Sequence, residues 1–289
     1  MILVTGATGN VGAGVVRAVA AAGEPVRAMS RSGEGAGLPQ GAEGVAGDLN
    51  RPETVREALD GVRALFLMPG YEGQRAVLAD ARAAGVERVV LLSGKSAAVD
   101  DGNAVTRYLR AAEDGVRESG LAWTLLRPVS FMSNAVSLAD QIRKGDEVHV
   151  PFPDVRTADI DPYDIAQVAA RALLSPEHAG HVYTLTGPSV TAARRPDRRT
   201  RRGAGPRAAY RRPHRRGGPR GAGGGLPGSV RPGVPPLLRR RDPGRVTGPA
   251  HGRGGHGPTT THVPPVGDGT RERVLTAPTS DSGEHERAP

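Results

Sequence analysis

Residues 2–12, I-L-V-T-G-A-T-G-N-V-G, constrain this chain more than any other stretch. An apolar run, Ile2–Thr5, passes straight into glycines at positions 6, 9 and 12, and a stripe at helical spacing (Val11, Val15, Val16, Val19) begins at once. Each glycine has its own physical duty in such a strand–turn–helix. Gly6 permits the tight turn, Gly9 lets the backbone approach a pyrophosphate, and Gly12 allows the helix to pack closely on the strand. Free N–H groups and the dipole at the helix start favour an anion there. The stretch therefore predicts a dinucleotide site on Gly6, Gly9 and Gly12.

The pattern continues for about 190 residues. Short apolar runs predict strands at Ile2–Thr5, Val26–Met29, Gly44–Ala46, Ala64–Met68, Arg88–Leu92, Trp123–Leu126 and Val182–Leu185. Helical patterns lie between them at Val11–Ala22, Pro52–Leu59, Gln74–Ala84, Ala104–Ser119, Ser130–Lys144 and Pro162–Leu174. Near-continuous apolar strands alternating with helices predict an α/β fold, a Rossmann-type doubly wound parallel sheet covered on both faces. Asp161-Pro162 reads as a helix start, and Gly85 and Gly120 sit just past two helix ends. Glu113 and Arg117, four apart on one helix, are placed to pair.

After Thr191 this grammar stops. Residues 1–191 carry 18 Lys+Arg and 23 Asp+Glu, of 39 and 30 in the whole chain, so the net charge of +9 belongs to the tail. That tail holds 19 Gly, 15 Pro and 21 Arg in 98 residues, with no Lys, Ile, Phe, Met, Trp, Asn or Gln, and Tyr210 is its one aromatic. Such a composition predicts disorder, because little apolar area is available to offset chain entropy. The chain thus divides into a 1–190 dinucleotide-binding domain and a 191–289 basic tail. Three origins fit the tail: an arginine-rich nucleic-acid arm, a linker without a partner, or out-of-frame translation of a GC-rich gene. The third accounts best for its residue set, since the missing types need A- or T-rich codons. Allowed codons for Gly255–Gly267, read one nucleotide later, can spell V-T-G-R-P-P-R-T-F-R-Q-W-A. A nucleic-acid arm ordinarily mixes Lys with Arg and interleaves aromatics, so nucleic acid is not expected as a partner.

Further absences narrow the chemistry. There is no cysteine, hence no disulfide, thiolate metal site or cysteine nucleophile. No apolar run approaches the roughly 20 residues that span a bilayer, and no basic-then-apolar leader precedes Ile2, which together predict a cytoplasmic chain with no membrane partner. His149 and His178 are isolated, and no cluster has metal-ligand spacing, so no metal is expected.

Within the folded part, the second strand runs into V-R-A-M-S-R-S with no acid between Val26 and Gly33. An NAD site would carry Asp or Glu there for the ribose hydroxyls. Arg31 and Ser32 stand there instead, suited to a 2′-phosphate, which predicts NADP rather than NAD. Asp48 can accept the adenine amino group with Leu49 beside the ring. Met68 and Pro69, ending the fourth strand, line the cofactor path.

These segments, with R-V-V-L-L-S-G, S-G-L-A-W-T-L-L-R-P-V-S-F-M-S-N, D-I-D-P-Y-D-I-A-Q-V-A-A-R-A-L and Y-T-L-T-G-P, resemble the NmrA-like, NAD(P)H-azoreductase-type atypical short-chain dehydrogenases over about residues 1–190. The resemblance implies that Gly6, Thr8, Gly9, Asn10 and Gly12 hold the pyrophosphate, Arg31 the 2′-phosphate, and Asp48 and Leu49 the adenine. It places Ser93, Lys95, Pro128, Phe131 and Asn134 around the nicotinamide. Such proteins often end in a V-T-G-x-x-P-x-T-F-x-x-W pattern, which the shifted frame reproduces, and this implies that a helical C-terminal part closing over the substrate is lost or garbled here. The chain also departs from the wider group: Tyr108 is followed four residues later by Ala112 rather than Lys, and Leu109 stands where relatives often have His, with Glu113 kept.

Hydride transfer from NADPH to a small, electron-poor acceptor such as a quinone or azo compound needs placement more than acid–base machinery. Lys95, just past the fifth strand, is the expected stabiliser of developing negative charge, with Ser93 as a hydrogen-bond donor beside it and Tyr108 as a proton donor. A non-catalytic NADP-sensing regulator fits the same residues. Oligomeric state is not legible in the sequence.

Overall fold

Apolar residues on alternate sides of successive strands require a sheet buried on both faces, and the computed structural model has one. It describes residues 1–33, 37–99, 102–144, 147–150, 155–192, 209–210, 259–262 and 271–276. In chain order the strands are β1 (Ile2–Thr5), β2 (Val26–Ser30), β3 (Ala42–Ala46), β4 (Ala64–Leu67), β5 (Arg88–Leu92), β6 (Ala122–Pro128), β7 (Glu147–Val148), β8 (Arg156–Thr157), β9 (His181–Thr186), β10 (Thr191–Ala192), β11 (Ala209–Tyr210), β12 (Thr259–His262) and β13 (Arg271–Thr276). The helices are α1 (Gly12–Ala21), α2 (Gln74–Ala83), α3 (Ala104–Glu118), α4 (Ala139–Lys144) and α5 (Pro162–Leu174).

The main sheet has the order β12-β13-β9-β6-β5-β4-β1-β2-β3, parallel from β13 to β3. The order reverses between β1 and β4, the place where doubly wound sheets leave a crevice at the carboxyl ends of their strands. Ile2, Val4, Phe66, Val90 and Leu92 face one side, where they pack with Val15, Val16 and Val19 of α1 and with Ile165, Ala169 and Leu173 of α5. Leu3, Leu65, Leu67, Val89 and Leu91 face the other, against Val77 and Leu78 of α2 and Val116 of α3. The period of two along each strand thus splits the core into two layers. Asp161 caps α5 by accepting from the Tyr163 amide at 2.8 Å, with Pro162 as its first residue, as the sequence predicts.

The chain divides into two units, one of Met1–Phe131, Ala158–Ser189 and Arg253–Pro289, the other of Met132–Thr157 and Val190–Gly252. The first contains the sheet. The second, by itself, contains α4 and the short pairings β7–β11 and β8–β10.

Two expectations are corrected. Pro52–Leu59 is not an α-helix but two tight turns, Pro52–Thr54 and Glu57–Leu59. The Thr54 hydroxyl donates back to the Arg51 carbonyl at 2.7 Å and accepts from the Asp48 amide at 2.9 Å, which favours the tighter winding. Ser130–Lys144 is broken into a 3₁₀ stretch, Met132–Leu138, and α4, and neither buries a residue that would reward a longer helix. Within the tail, a short strand, β13, stands among the described residues. Arg271–Thr276 pairs in register with His181–Thr186, Leu275 is buried in the first core layer, and the Thr186 and Thr276 hydroxyls lie 3.2 Å apart. Averaging composition over 98 residues hides this six-residue strand; most of the remaining tail lies outside the described residues.

Candidate functional site

The carboxyl ends of the parallel strands bring most of the predicted residues to one edge of the sheet. After β1, Gly6 turns with φ +63°, a left-handed conformation open to glycine. The Gly9 amide then donates to the Gly6 carbonyl at 2.9 Å, and Ala13 donates to Gly9 at 3.0 Å as α1 begins. A Cβ on Gly9 would sit 3.2 Å from the Gly6 carbonyl oxygen, and one on Gly12 would overlap the Gly6 peptide. Glycine at positions 6, 9 and 12 keeps the turn tight and its backbone uncovered at Gly9. Thr8, Gly9 and Asn10 are exposed on it, while Gly12 is buried beneath. Thr5 fastens the turn to the neighbouring strand: its hydroxyl donates to the Phe66 carbonyl at 2.9 Å and accepts from the Met68 amide at 3.0 Å. Met68, half-buried, lies against Gly6, with Cγ 2.8 Å from where a Cβ would stand.

A groove of about 460 Å³ opens beside the turn, lined by Thr8, Ser30, Arg31 and Ser32. Arg31 and Ser32 are exposed, and the Ser30 hydroxyl accepts from the Gly33 amide at 3.1 Å, shaping the loop after β2. Ser30 was not among the predicted residues, although its position at the end of β2 is the signal that marks it. A larger groove, about 520 Å³, lies between α2 and α3 among Arg75, Leu78, Arg82 and Gly115. It is away from the strand ends, so the smaller groove marks the site.

Asp48 is half-buried, and its Oδ1 accepts from the Asn50 amide at 3.0 Å in a local turn. The carboxylate thus shapes its own loop. Leu49 is buried with Met29, so its side chain belongs to the core. Pro69 is half-buried after β4, and Pro128 is buried at the end of β6. Phe131 is half-buried against the first core layer and bridges to Ile160. Asn134 is exposed in the Met132–Leu138 stretch of the second unit.

At the end of β5 the arrangement differs from expectation. Ser93 is buried, and its hydroxyl donates to Glu113 Oε1 at 2.6 Å, so its single proton is committed to a carboxylate. Glu113 also accepts from Arg127 Nε at 2.9 Å and Nη2 at 2.7 Å, with Arg117 Nη1 at 3.3 Å from Oε2. The predicted Glu113–Arg117 pair forms; the Arg127 pair was missed. An arginine inside the otherwise apolar run A-W-T-L-L-R-P was its signal, because a buried guanidinium requires a partner. Lys95 is exposed in the short turn Lys95–Ala98 and has no hydrogen bond or ion pair among the described residues. Tyr108, on α3, lies against Gly70 after β4. Tyr108 is 44% exposed, and partial burial pushes its phenol up from the ordinary value near 10.

Chemically, this edge offers a glycine-rich turn at a helix start, a groove beside it that holds the Arg31 guanidinium, and, two strands away, the Lys95 ammonium, unpaired among the described residues. Such an array accommodates an extended anion, with positive charge available at the far end. No described helix is long and apolar enough to cross a membrane.

The chain is 38% identical over 197 residues to an NAD(P)H azoreductase of Xenophilus azovorans, covering 66% of this chain and 69% of the relative. It is 42% identical over 207 residues to a (4-alkanoyl-5-oxo-2,5-dihydrofuran-3-yl)methyl phosphate reductase of Streptomyces griseus, covering 67% and 70%. Its fold is similar to that of an NADPH-dependent quinone oxidoreductase of Escherichia coli, solved with NADPH, at a TM-score of 0.63 and 25% identity over 73% of this chain and 78% of that one. Residues 6–176, more than half of the chain, match the family described as NAD(P)H-binding. The chain belongs to that NAD(P)H-binding family, with reductases among its relatives.

Proposed function

We propose that this chain is an NADPH-dependent oxidoreductase that transfers hydride to a small, electron-poor acceptor such as a quinone or an azo compound. The observation that carries the proposal is the alignment of the glycine turn, the Arg31 groove and Lys95 along one carboxyl edge of the sheet. The residues fit a dinucleotide: a Cβ at Gly12 would overlap the Gly6 peptide, so the turn stays tight at the helix start, and the groove beside it presents the Arg31 guanidinium with no acid in its lining among the described residues. Gly6, Thr8, Gly9, Asn10 and Gly12 would hold the pyrophosphate, and Arg31 with Ser32 the 2′-phosphate, a charge-assisted contact that favours NADP over NAD. Asp48 would accept from the adenine, and Met68, Pro69, Pro128 and Phe131 would border the path to the nicotinamide. When bound, the cofactor supplies the hydride.

Lys95 would meet the negative charge that develops on the acceptor as hydride arrives. The Tyr108 phenol, protonated at neutral pH, can orient an acceptor oxygen by donating a hydrogen bond. Water can provide the proton that completes a hydroquinone or hydrazine. The azoreductase and quinone oxidoreductase relatives support an acceptor of this class.

The test is NADPH oxidation by the full chain with quinone and azo acceptors. Turnover abolished by Gly9→Asp supports the reading. Tight NADPH binding with no turnover on either acceptor would favour a non-catalytic cofactor sensor instead.

A further inference from the structure

Lys95 has no partner of its own among the described residues, yet Ser93, Gly94, Ser96 and Ala97 around it each meet α3. The Ser93 hydroxyl donates to Glu113 at 2.6 Å, while the Ser93 amide donates to the Leu126 carbonyl of β6 at 2.7 Å. Leu109 Cδ1 lies 3.1 Å from where a Cβ on Gly94 would stand. The Thr106 hydroxyl donates to the Ser96 carbonyl at 3.3 Å, and Arg110 Nε donates to the Ala97 carbonyl at 3.0 Å. Glu113 is the inner anchor. Its side chain is 1% exposed, and Arg127 of β6 grips both of its oxygens, so it joins the ends of β5 and β6 through one carboxylate.

We infer that Ser93 and Glu113 form a buried tether that holds the Lys95 loop against α3, making both of them positioning residues for Lys95 rather than groups that touch an acceptor. A serine hydroxyl has one proton, and here it points at a carboxylate inside the protein. Ser93 therefore cannot stabilise negative charge on an acceptor. A buried carboxylate is costly unless fully satisfied; with both of its oxygens held by Arg127 and one also by Ser93, Glu113 has a fixed position and transmits it. The exposed Lys95 side chain then stands on a fixed base. The assignment of Lys95 itself rests on the proposed reductase function.

The test uses the full chain in steady-state NADPH oxidation with 1,4-naphthoquinone. It compares wild type, Lys95→Met, Ser93→Ala, Glu113→Gln and the doubles Ser93→Ala/Lys95→Met and Glu113→Gln/Lys95→Met. Lys95→Met should lower kcat on the order of 10²-fold. Ser93→Ala and Glu113→Gln should each lower kcat about tenfold, as misplacement of a charge-stabilising group does, with the KM for NADPH unchanged. In the Lys95→Met background neither should cost anything further. A Ser93→Ala loss of equal size in both backgrounds would put the hydroxyl on the acceptor and overturn the inference. Full turnover by Lys95→Met would also overturn it, while leaving the reductase reading intact. Ser93→Ala keeps the Glu113–Arg127 pair, so it reports on the tether even where Glu113→Gln fails to fold. Hydrogen exchange gives a readout independent of turnover: Ser93→Ala should speed exchange of the amides at 94–98 about tenfold and leave Ile2–Thr5 unchanged. Unchanged exchange at 94–98 would overturn the tether whether or not the wild type turns over.

Discussion

Replacing Gly12 with alanine adds one methyl group at the start of α1, and the structure says where it must go. The new carbon would overlap the Gly6 carbonyl oxygen and stand 2.7 Å from the Gly6 carbonyl carbon and 3.2 Å from Ala7 Cα. These are backbone atoms, which cannot rotate away. Ordinary carbon contact begins near 3.5 Å, so the helix start must retreat by about 1 Å. Overpacking of this kind costs roughly 1–3 kcal/mol. A hydrogen bond from the helix start to a pyrophosphate, normally about 2.9 Å, would not survive the same retreat. Losing one such charge-assisted bond weakens binding by about 1.5–3 kcal/mol, or roughly 10- to 150-fold in Kd. Gly14→Ala provides the control. Its methyl would meet Ala166 Cβ of α5 at 2.7 Å, a comparable clash placed between two helices and away from the turn. Both variants should melt several degrees below wild type, yet Gly12→Ala alone should lose NADPH affinity, read by nicotinamide fluorescence titration. Equal weakening of NADPH by the two variants, or normal binding by Gly12→Ala, would refute the argument.

Three further outcomes follow from the same geometry. Arg31→Gln should raise the Kd for NADPH by roughly 10- to 100-fold and leave NADH within about twofold, since only the former carries a 2′-phosphate; parallel titrations of both nucleotides check it, and equal effects would remove Arg31 from the phosphate. Burial and the neighbouring His181 hold the His178 imidazole below the usual histidine range, with Arg273 and Arg171 acting the same way and Glu177 opposing them. The unfolded chain then takes up this proton first, so His178 withdraws stability as pH falls below about 6.5. The drop in urea midpoint between neutral and mildly acidic pH should be smaller in His178→Gln than in wild type; an equal drop would refute it. Leu275→Asp puts a charge where β13 meets the core and should release Arg271–Thr276, raising proteolysis in that segment while β1 to β6 keep their exchange protection. Continued protection of 271–276 would show that Leu275 is not what holds the strand.

Much of the fold was legible in the sequence because one-dimensional period and three-dimensional layer coincide here. Ile2 and Val4 go to one side of the sheet and Leu3 to the other, and the same alternation repeats at Leu65–Leu67 and Val89–Leu92. The glycine turn was legible because its steric demands are local, confined to residues 6–12. What could not be read depends on residues far apart. The Ser93 hydroxyl was expected to face an acceptor, but its partner Glu113 lies 20 residues away on a helix, and Arg127 a further 14 beyond it. Leu49 was expected beside an adenine ring, but its side chain is buried in the second core layer. Strand β13 was hidden for another reason: its pairing partner β9 is about 90 residues earlier, and the glycine- and proline-rich sequence around it dominates any compositional average.

The central claim, that the turn at Gly6–Gly12 and the Lys95 edge together carry out reduction, is tested most directly by rapid mixing of the full-length chain preloaded with NADPH against 1,4-naphthoquinone. The account predicts that nicotinamide absorbance decays in one turnover with stoichiometric hydroquinone formation, and that Gly9→Asp abolishes the decay. Tight binding of NADPH with no decay above the protein-free rate would contradict it.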